Sequence, residues 1–230
     1  MAAAAVGTGY RTSAASGRIR RNIGVLAIFD VVYVSPFMRT RETAAYIAGD
    51  EEVLLTPEDR IIERDWGQFG KLSRTDQAKH FPHTYHEKDA NPLYARLDGG
   101  ESMMDVYGRV RDMQGTLHRE YPDGRVMMVT HGDLMNGWRY AIERMLPEEW
   151  EALDSNKKYD FKNCSLLHYS RVNPDDLNDV REHIKWRRFI HTTDPQNSPD
   201  DGQWVELPDR VRYSPQQLLQ QVDKSPRLLR

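Results

Sequence analysis

The sequence predicts an α/β protein, a three-layer α/β/α sandwich with a mostly parallel sheet. Two apolar runs, Val31–Val34 and Arg125–Thr130, each end in a polar turn and pass into a helix-forming segment. A third run, Cys164 to Val172, follows a helical piece at Pro147–Leu153. Strands alternating with helices argue for layers around a parallel sheet. Function in that architecture collects at the carboxyl ends of strands. Arg39, Glu63 and His131 each fall just after an expected strand, so they are positioned to converge.

Each element has a local reason. Met1 to Phe29 carries four arginines (Arg11, Arg18, Arg20, Arg21), many Ala and Ser, and no acid. That composition fits an organellar transit peptide or a degraded amphipathic helix packed before the Asp30 strand. Asp30 to Thr43 reads as a strand, a Ser-Pro stop and a helix opening with two arginines, Ser35 being the expected N-cap and Pro36 the first helical residue. A strand feeding a helix N-terminus is an anion site, and Arg39 in the first turn adds a planar donor fork suited to phosphate. Residues 71–97 are polar, with His80, His83 and His86. Pro82 breaks their shared helical face, so a solvated lid is expected there and no metal site.

Gly99-Gly100-Glu101-Ser102 breaks the chain before a long helix. Ser102 with Asp105 resembles a capping box, and Val106, Val110, Met113 and Leu117 recur at helical spacing. That helix ends at the turn Tyr121-Pro122-Asp123-Gly124. Arg125–Thr130 is apolar throughout, as in a strand buried on both faces. It runs into His131-Gly132-Asp133 and a helix with Leu134, Trp138, Ala141 and Met145 on one face. Beyond Val172 the chain is rich in Asp, Asn and Pro until a capped terminal helix near Tyr213–Leu219. The expected organisation is therefore a replaced segment or degraded helix over 1–28, an α/β domain over 29–172, and a polar appendage over 173–230.

The 230 residues carry a net charge of −3 of mixed sign, which gives no reason to expect bulk nucleic-acid binding. A lone cysteine, Cys164, excludes an internal disulfide framework, fits a reducing compartment and reads as a small buried hydrophobe. No apolar run approaches the ~20 residues needed to span a bilayer. The expectation is a cytoplasmic protein, or an organellar one if the start is a transit peptide.

Taken together, the motifs resemble the histidine phosphatase superfamily, the phosphoglycerate-mutase-like fold, over roughly Gly9 to Val172. Ser35-Pro36-Phe37-Met38-Arg39-Thr40-Arg41-Glu42-Thr43-Ala44 looks like that family's SPxxRxxxTA. Ile62 to Phe69 looks like its acid-bearing loop, Gly100-Glu101-Ser102 like its GES helix start, and Val129-Thr130-His131-Gly132 like its second-histidine motif. Asn91 to Arg96 and the loop Asp65-Trp66-Gly67-Gln68-Phe69 look most like a broad-specificity phosphatase subgroup. Gly9 to Gly17 resembles the family's GxxQAxxxG helix, with Thr12-Ser13 where Gln-Ala is usual. This favours the helix reading of the start over the transit peptide.

The resemblance implies a two-step, cofactor-free and metal-free phosphoryl transfer from a phosphorylated small molecule. A histidine would attack phosphorus, and water or an acceptor hydroxyl would then discharge the phosphohistidine. Glu63 would serve as acid and then base. Arg39 and His131, with Ser35 beside them, would bind the phosphoryl oxygens. One part departs from the family. Its nucleophile sits in Arg-His-Gly at the end of the first strand, and this sequence contains no Arg-His-Gly. The expectation is a truncated or mis-started enzyme lacking that first strand and its nucleophile, with little catalysis. The alternative is a non-catalytic phosphate-ligand binder or interaction protein on the same fold.

Overall fold

The computed structural model describes residues 2–7 and 26–224. One seven-stranded sheet, of order β3-β2-β4-β1-β5-β6-β7, forms its centre. The strands are β1 (Ala2–Gly7), β2 (Val31–Val34), β3 (Leu55–Pro57), β4 (Arg125–Thr130), β5 (Ser165–Ser170), β6 (Trp186–His191) and β7 (Trp204–Glu206). The helices are α1 (Met38–Ala48), α2 (Arg74–His80), α3 (Pro82–Ala90), α4 (Met103–Glu120), α5 (Gly132–Ile142), α6 (Pro147–Asp154) and α7 (Pro215–Lys224).

Strands β3, β2 and β4 run parallel and form the half of the sheet that carries the site. Every residue of β4 after Arg125 is buried, because alternate side chains pack on opposite faces. Met127 and Val129 join Val32, Val34 and Ala44 of α1 on one side. Val126 and Met128 join Tyr33, Val106, Val110, Leu134 and Trp138 beneath α4 and α5 on the other. Each such side chain taken out of water stabilises the fold by roughly 1.5–3 kcal/mol. Helices α4 and α5 cross closely at Gly137, where a Cβ would stand 3.1 Å from the Val106 Cγ1 methyl. Two helical layers therefore flank the sheet, as expected.

The beginning of the chain differs from the expectation. Ala2–Gly7 is a strand and lies in the middle of the sheet, antiparallel to β4 and parallel to β5. The central position expected to be missing is thus filled. Alanine favours helix intrinsically, but pairing on both sides outweighs a propensity of a few tenths of a kcal/mol per residue. Its reversed direction places its amino end beside Thr130. The Gly9–Gly17 helix lies outside the described residues.

The segment beyond residue 172 also departs from an appendage, because β6 and β7 extend the same sheet. Buried charges tie it in. Glu143, which follows α5, accepts from Arg139 Nε (2.9 Å), from the Tyr169 hydroxyl (2.9 Å) and from Arg187 of β6 (3.1 Å). Trp186 and Phe189 are buried in β6 as anchors. Residues 71–97 form the short helices α2 and α3, which bury no side chain. Cys164 is exposed rather than buried, at a left-handed φ of 60° just before β5. The terminal helix α7 follows the capping pattern expected of it: Ser214 Oγ accepts from Gln217 N at 3.2 Å, and Gln217 Oε1 from Ser214 N at 2.8 Å.

Candidate functional site

The site lies at the carboxyl edge of β2 and β4. His131 is the residue on which β4 ends and α5 begins, and its side chain is 1% exposed. Arg39 donates to His131 Nδ1 from both Nε (3.1 Å) and Nη2 (2.8 Å). Since an arginine can only donate, Nδ1 accepts and carries no proton. The ring hydrogen is then on Nε2, directed to Ser35 Oγ at 2.8 Å. The Phe37 ring meets the imidazole edge-on at 5.1 Å and lies 5.0 Å from the Arg39 guanidinium. Burial, and next the Arg39 charge, push His131 down to about 4. It is therefore a neutral imidazole at pH 7.

Glu63 completes the group, with Oε2 at 3.7 Å from Arg39 Nη2 and 3.9 Å from His131 Nδ1. The second approach is not an ion pair in this state, because Nδ1 is unprotonated. Burial, and next the nearby Asp133 carboxylate, push Glu63 up to about 7, against the backbone N–H of Arg64, the Arg39 charge and the backbone N–H of Asp133. Asp133 is itself raised by burial, opposed by Arg64 and by the Trp66 indole N–H it accepts. Behind the site, Asp133 Oδ2 and Arg64 Nη2 are buried without hydrogen-bond partners among the described residues.

Four residues expected at a site thus meet: Ser35, Arg39, Glu63 and His131. Two local expectations are corrected. Ser35 does not cap α1, whose N-cap is Phe37, because its hydroxyl is committed to His131 while its carbonyl accepts from Thr40 Oγ1 at 2.9 Å. Ile61-Ile62 is not a strand end: Asp59–Ile61 is a 3-10 turn. Glu63 reaches the site because long-range bonds hold that turn. Thr130 Oγ1 donates to the Ile61 carbonyl at 2.7 Å. Arg109 Nη1 donates to the carbonyls of Arg60 (2.8 Å) and Ile62 (3.2 Å).

Arg109 also grips Glu101 through Nε (2.8 Å) and Nη2 (2.9 Å), and Glu101 Oε2 accepts from Asp65 N at 2.9 Å. The loop after Glu63 then passes against Gly99-Gly100. A Cβ on Gly100 would collide with the Asp65 carbonyl oxygen, and one on Gly67 with that of Asp98. Gly67 also takes a left-handed φ of 51°, which glycine adopts readily. Ser102 forms the expected capping box with Asp105 at the start of α4. Arg109 and Asp133 were not singled out from sequence. Arg109 looks like one more charge on a helix, and only its partners 46 to 49 residues away reveal it.

His131 is the histidine that meets these residues. His80, His83 and His86 are exposed on α2 and α3. His191 ends β6 and is bonded to Ser165 at 2.9 Å, three strand spacings from β4, roughly 14 Å. Among the described residues no three acids, histidines or cysteines cluster to hold a metal, and no helix is long and apolar enough to cross a membrane.

The description of the histidine phosphatase superfamily (branch 1) matches residues 9–172. Phosphoserine phosphatase 1 of Hydrogenobacter thermophilus is 27% identical over 151 residues, 66% of this chain and 67% of that protein. A 2,3-bisphosphoglycerate-dependent phosphoglycerate mutase of Rhizobium etli is 25% identical over 154 residues, 64% of this chain and 72% of that protein. The chain therefore spans about two thirds to three quarters of the length of these relatives. In fold it is similar to a mycobacterial glucosyl-3-phosphoglycerate phosphatase, with a TM-score of 0.54 at 19% identity over 81% of this chain and 95% of that one. With its SPxxRxxxTA turn, GES helix start and Thr-His-Gly strand end on this α/β scaffold, the chain belongs to the histidine phosphatase superfamily, a family of phosphatases and mutases.

Proposed function

We propose that the site is the phosphoryl-binding half of a phosphomonoesterase that works through a phosphohistidine. The convergence of Arg39, His131, Ser35 and Glu63 at one strand edge carries this reading. An incoming phosphate dianion would take the Arg39 donors now directed at His131 Nδ1. That frees Nδ1 to accept a proton and stabilises the charged imidazole, so both groups would then donate to phosphoryl oxygens. Glu63, raised to about 7, holds a proton near neutral pH that it can pass to a departing alkoxide and later recover from water.

The phosphoryl group moves from the substrate oxygen to an imidazole nitrogen and from there to water. The substrate is a phosphorylated small molecule. The acceptor imidazole belongs to an Arg-His-Gly motif that this sequence lacks. We further propose that the 230-residue chain binds phosphate esters without turning them over, because it contains no Arg-His-Gly.

Titration calorimetry with inorganic phosphate tests the pocket: Arg39→Ala and His131→Ala should each weaken binding about tenfold or more. Equal affinity in both variants would overturn it. Hydrolysis of an aryl phosphate by this chain, lost in His131→Ala, would overturn the division between binding and turnover.

A further inference from the structure

At the edge of the sheet opposite the phosphate site, a cavity of about 770 Å³ opens between the carboxyl ends of α4 and α5 and the loop beyond β5. Its floor is apolar, built from Leu117, Val126, Ala141 and Ile142. Trp138 contributes to the wall and is only 1% exposed, and its indole N–H is buried with no hydrogen-bond partner among the described residues.

Two arginines, Arg111 and Arg144, stand exposed at the rim, and neither side chain makes a hydrogen bond or close salt bridge to a described residue, Asp209 acting on Arg144 only through its charge. The third, Arg171, is held by Asp123 at 2.9 Å, and Glu182 is the acid facing them. An apolar floor with two exposed guanidinium forks at its rim suits a small organic anion. The volume falls in the range of small-molecule sites, on the order of 300–1,000 Å³.

We propose that this cavity is a second ligand site, binding an amphiphilic anion. An aromatic or aliphatic body covers Leu117, Val126 and Ile142. A carboxylate, sulfonate or phosphate group lies between Arg111 and Arg144. None of these residues touches Ser35, Arg39, Glu63 or His131. The one element common to both places is α5, which begins at His131 and carries Trp138, Ala141 and Ile142.

The test uses the full chain and the fluorescent probe 8-anilinonaphthalene-1-sulfonate, an aromatic sulfonate. One saturable site is expected. Arg111→Glu with Arg144→Glu should weaken it about tenfold or more. Saturating inorganic phosphate and Arg39→Ala should leave the affinity unchanged, which separates this site from the phosphate pocket. No binding, equal affinity in the arginine variant, or displacement by phosphate would each overturn the proposal. Circular dichroism melts check that the variants of these exposed arginines fold.

Discussion

Replacing Glu63 by glutamine should expose an opposition between two titrations that the parent protein conceals. Glu63 has a folded value of about 7 against an ordinary 4.5. The folded state holds that proton more tightly, so its stabilisation is complete below pH 4.5 and is lost as pH rises through 7. His131 runs the other way, about 4 against 6.5, so its stabilisation is complete above pH 6.5 and is lost as pH falls through 4.

Each gap, at about 1.36 kcal/mol per pH unit, corresponds to about 3 kcal/mol. Between pH 6.5 and 4.5 the two slopes oppose and largely cancel. Glu63→Gln keeps the acceptor for the Arg64 and Asp133 N–H groups but removes one slope. Urea unfolding at pH 7, 6, 5 and 4.5 should therefore show the variant losing up to about 3 kcal/mol relative to the parent across that span. His168, half-buried and also pushed down to about 4 by loss of water contact, adds the same slope to both proteins and drops out of the difference. Stability curves that stay parallel over the whole range would refute the reasoning.

Arg109→Met should destabilise the fold by about 2–4 kcal/mol, since it leaves Glu101 unpaired and strands the carbonyls of Arg60 and Ile62. Chemical denaturation measures the loss, and a loss no larger than that of an exposed surface arginine would contradict the anchoring assigned to it. Asp133→Asn retains an acceptor for the Trp66 N–H while removing the charge that helps raise Glu63. In a carboxyl ¹³C NMR titration, the Glu63 midpoint should move below 7 yet stay above the ordinary range, because burial is the larger cause. An unmoved midpoint would show that Asp133 does not act on Glu63.

Short-range chemistry was legible in the sequence. The apolar runs of β2 and β4 ending in Ser35 and His131 placed two of the site residues, and Ser102 with Asp105 marked the start of α4. What escaped was set by partners distant along the chain. Ser35 reads as a cap because capping is a local preference, yet its hydroxyl serves a histidine 96 residues away. Glu63 was found by motif, but its position depends on Arg109, Glu101 and Thr130. Strand β6 reads as part of a polar appendage because the segment around it is rich in Asp, Asn and Pro; in the fold Arg187 meets Glu143 and Arg188 Nε donates to the Gly202 carbonyl at 2.6 Å. The Ala-rich start looks helical until two neighbouring strands claim its backbone.

The reversed direction of β1 carries a practical consequence for anyone who makes this protein. Its amino end lies at Thr130, one residue from His131. A purification tag fused ahead of the chain would be delivered onto the edge where Arg39, Glu63 and His131 meet, in competition with any phosphate ester. Phosphate affinity should therefore fall when such a tag is present and return when it is cleaved, although every residue of the site is unchanged.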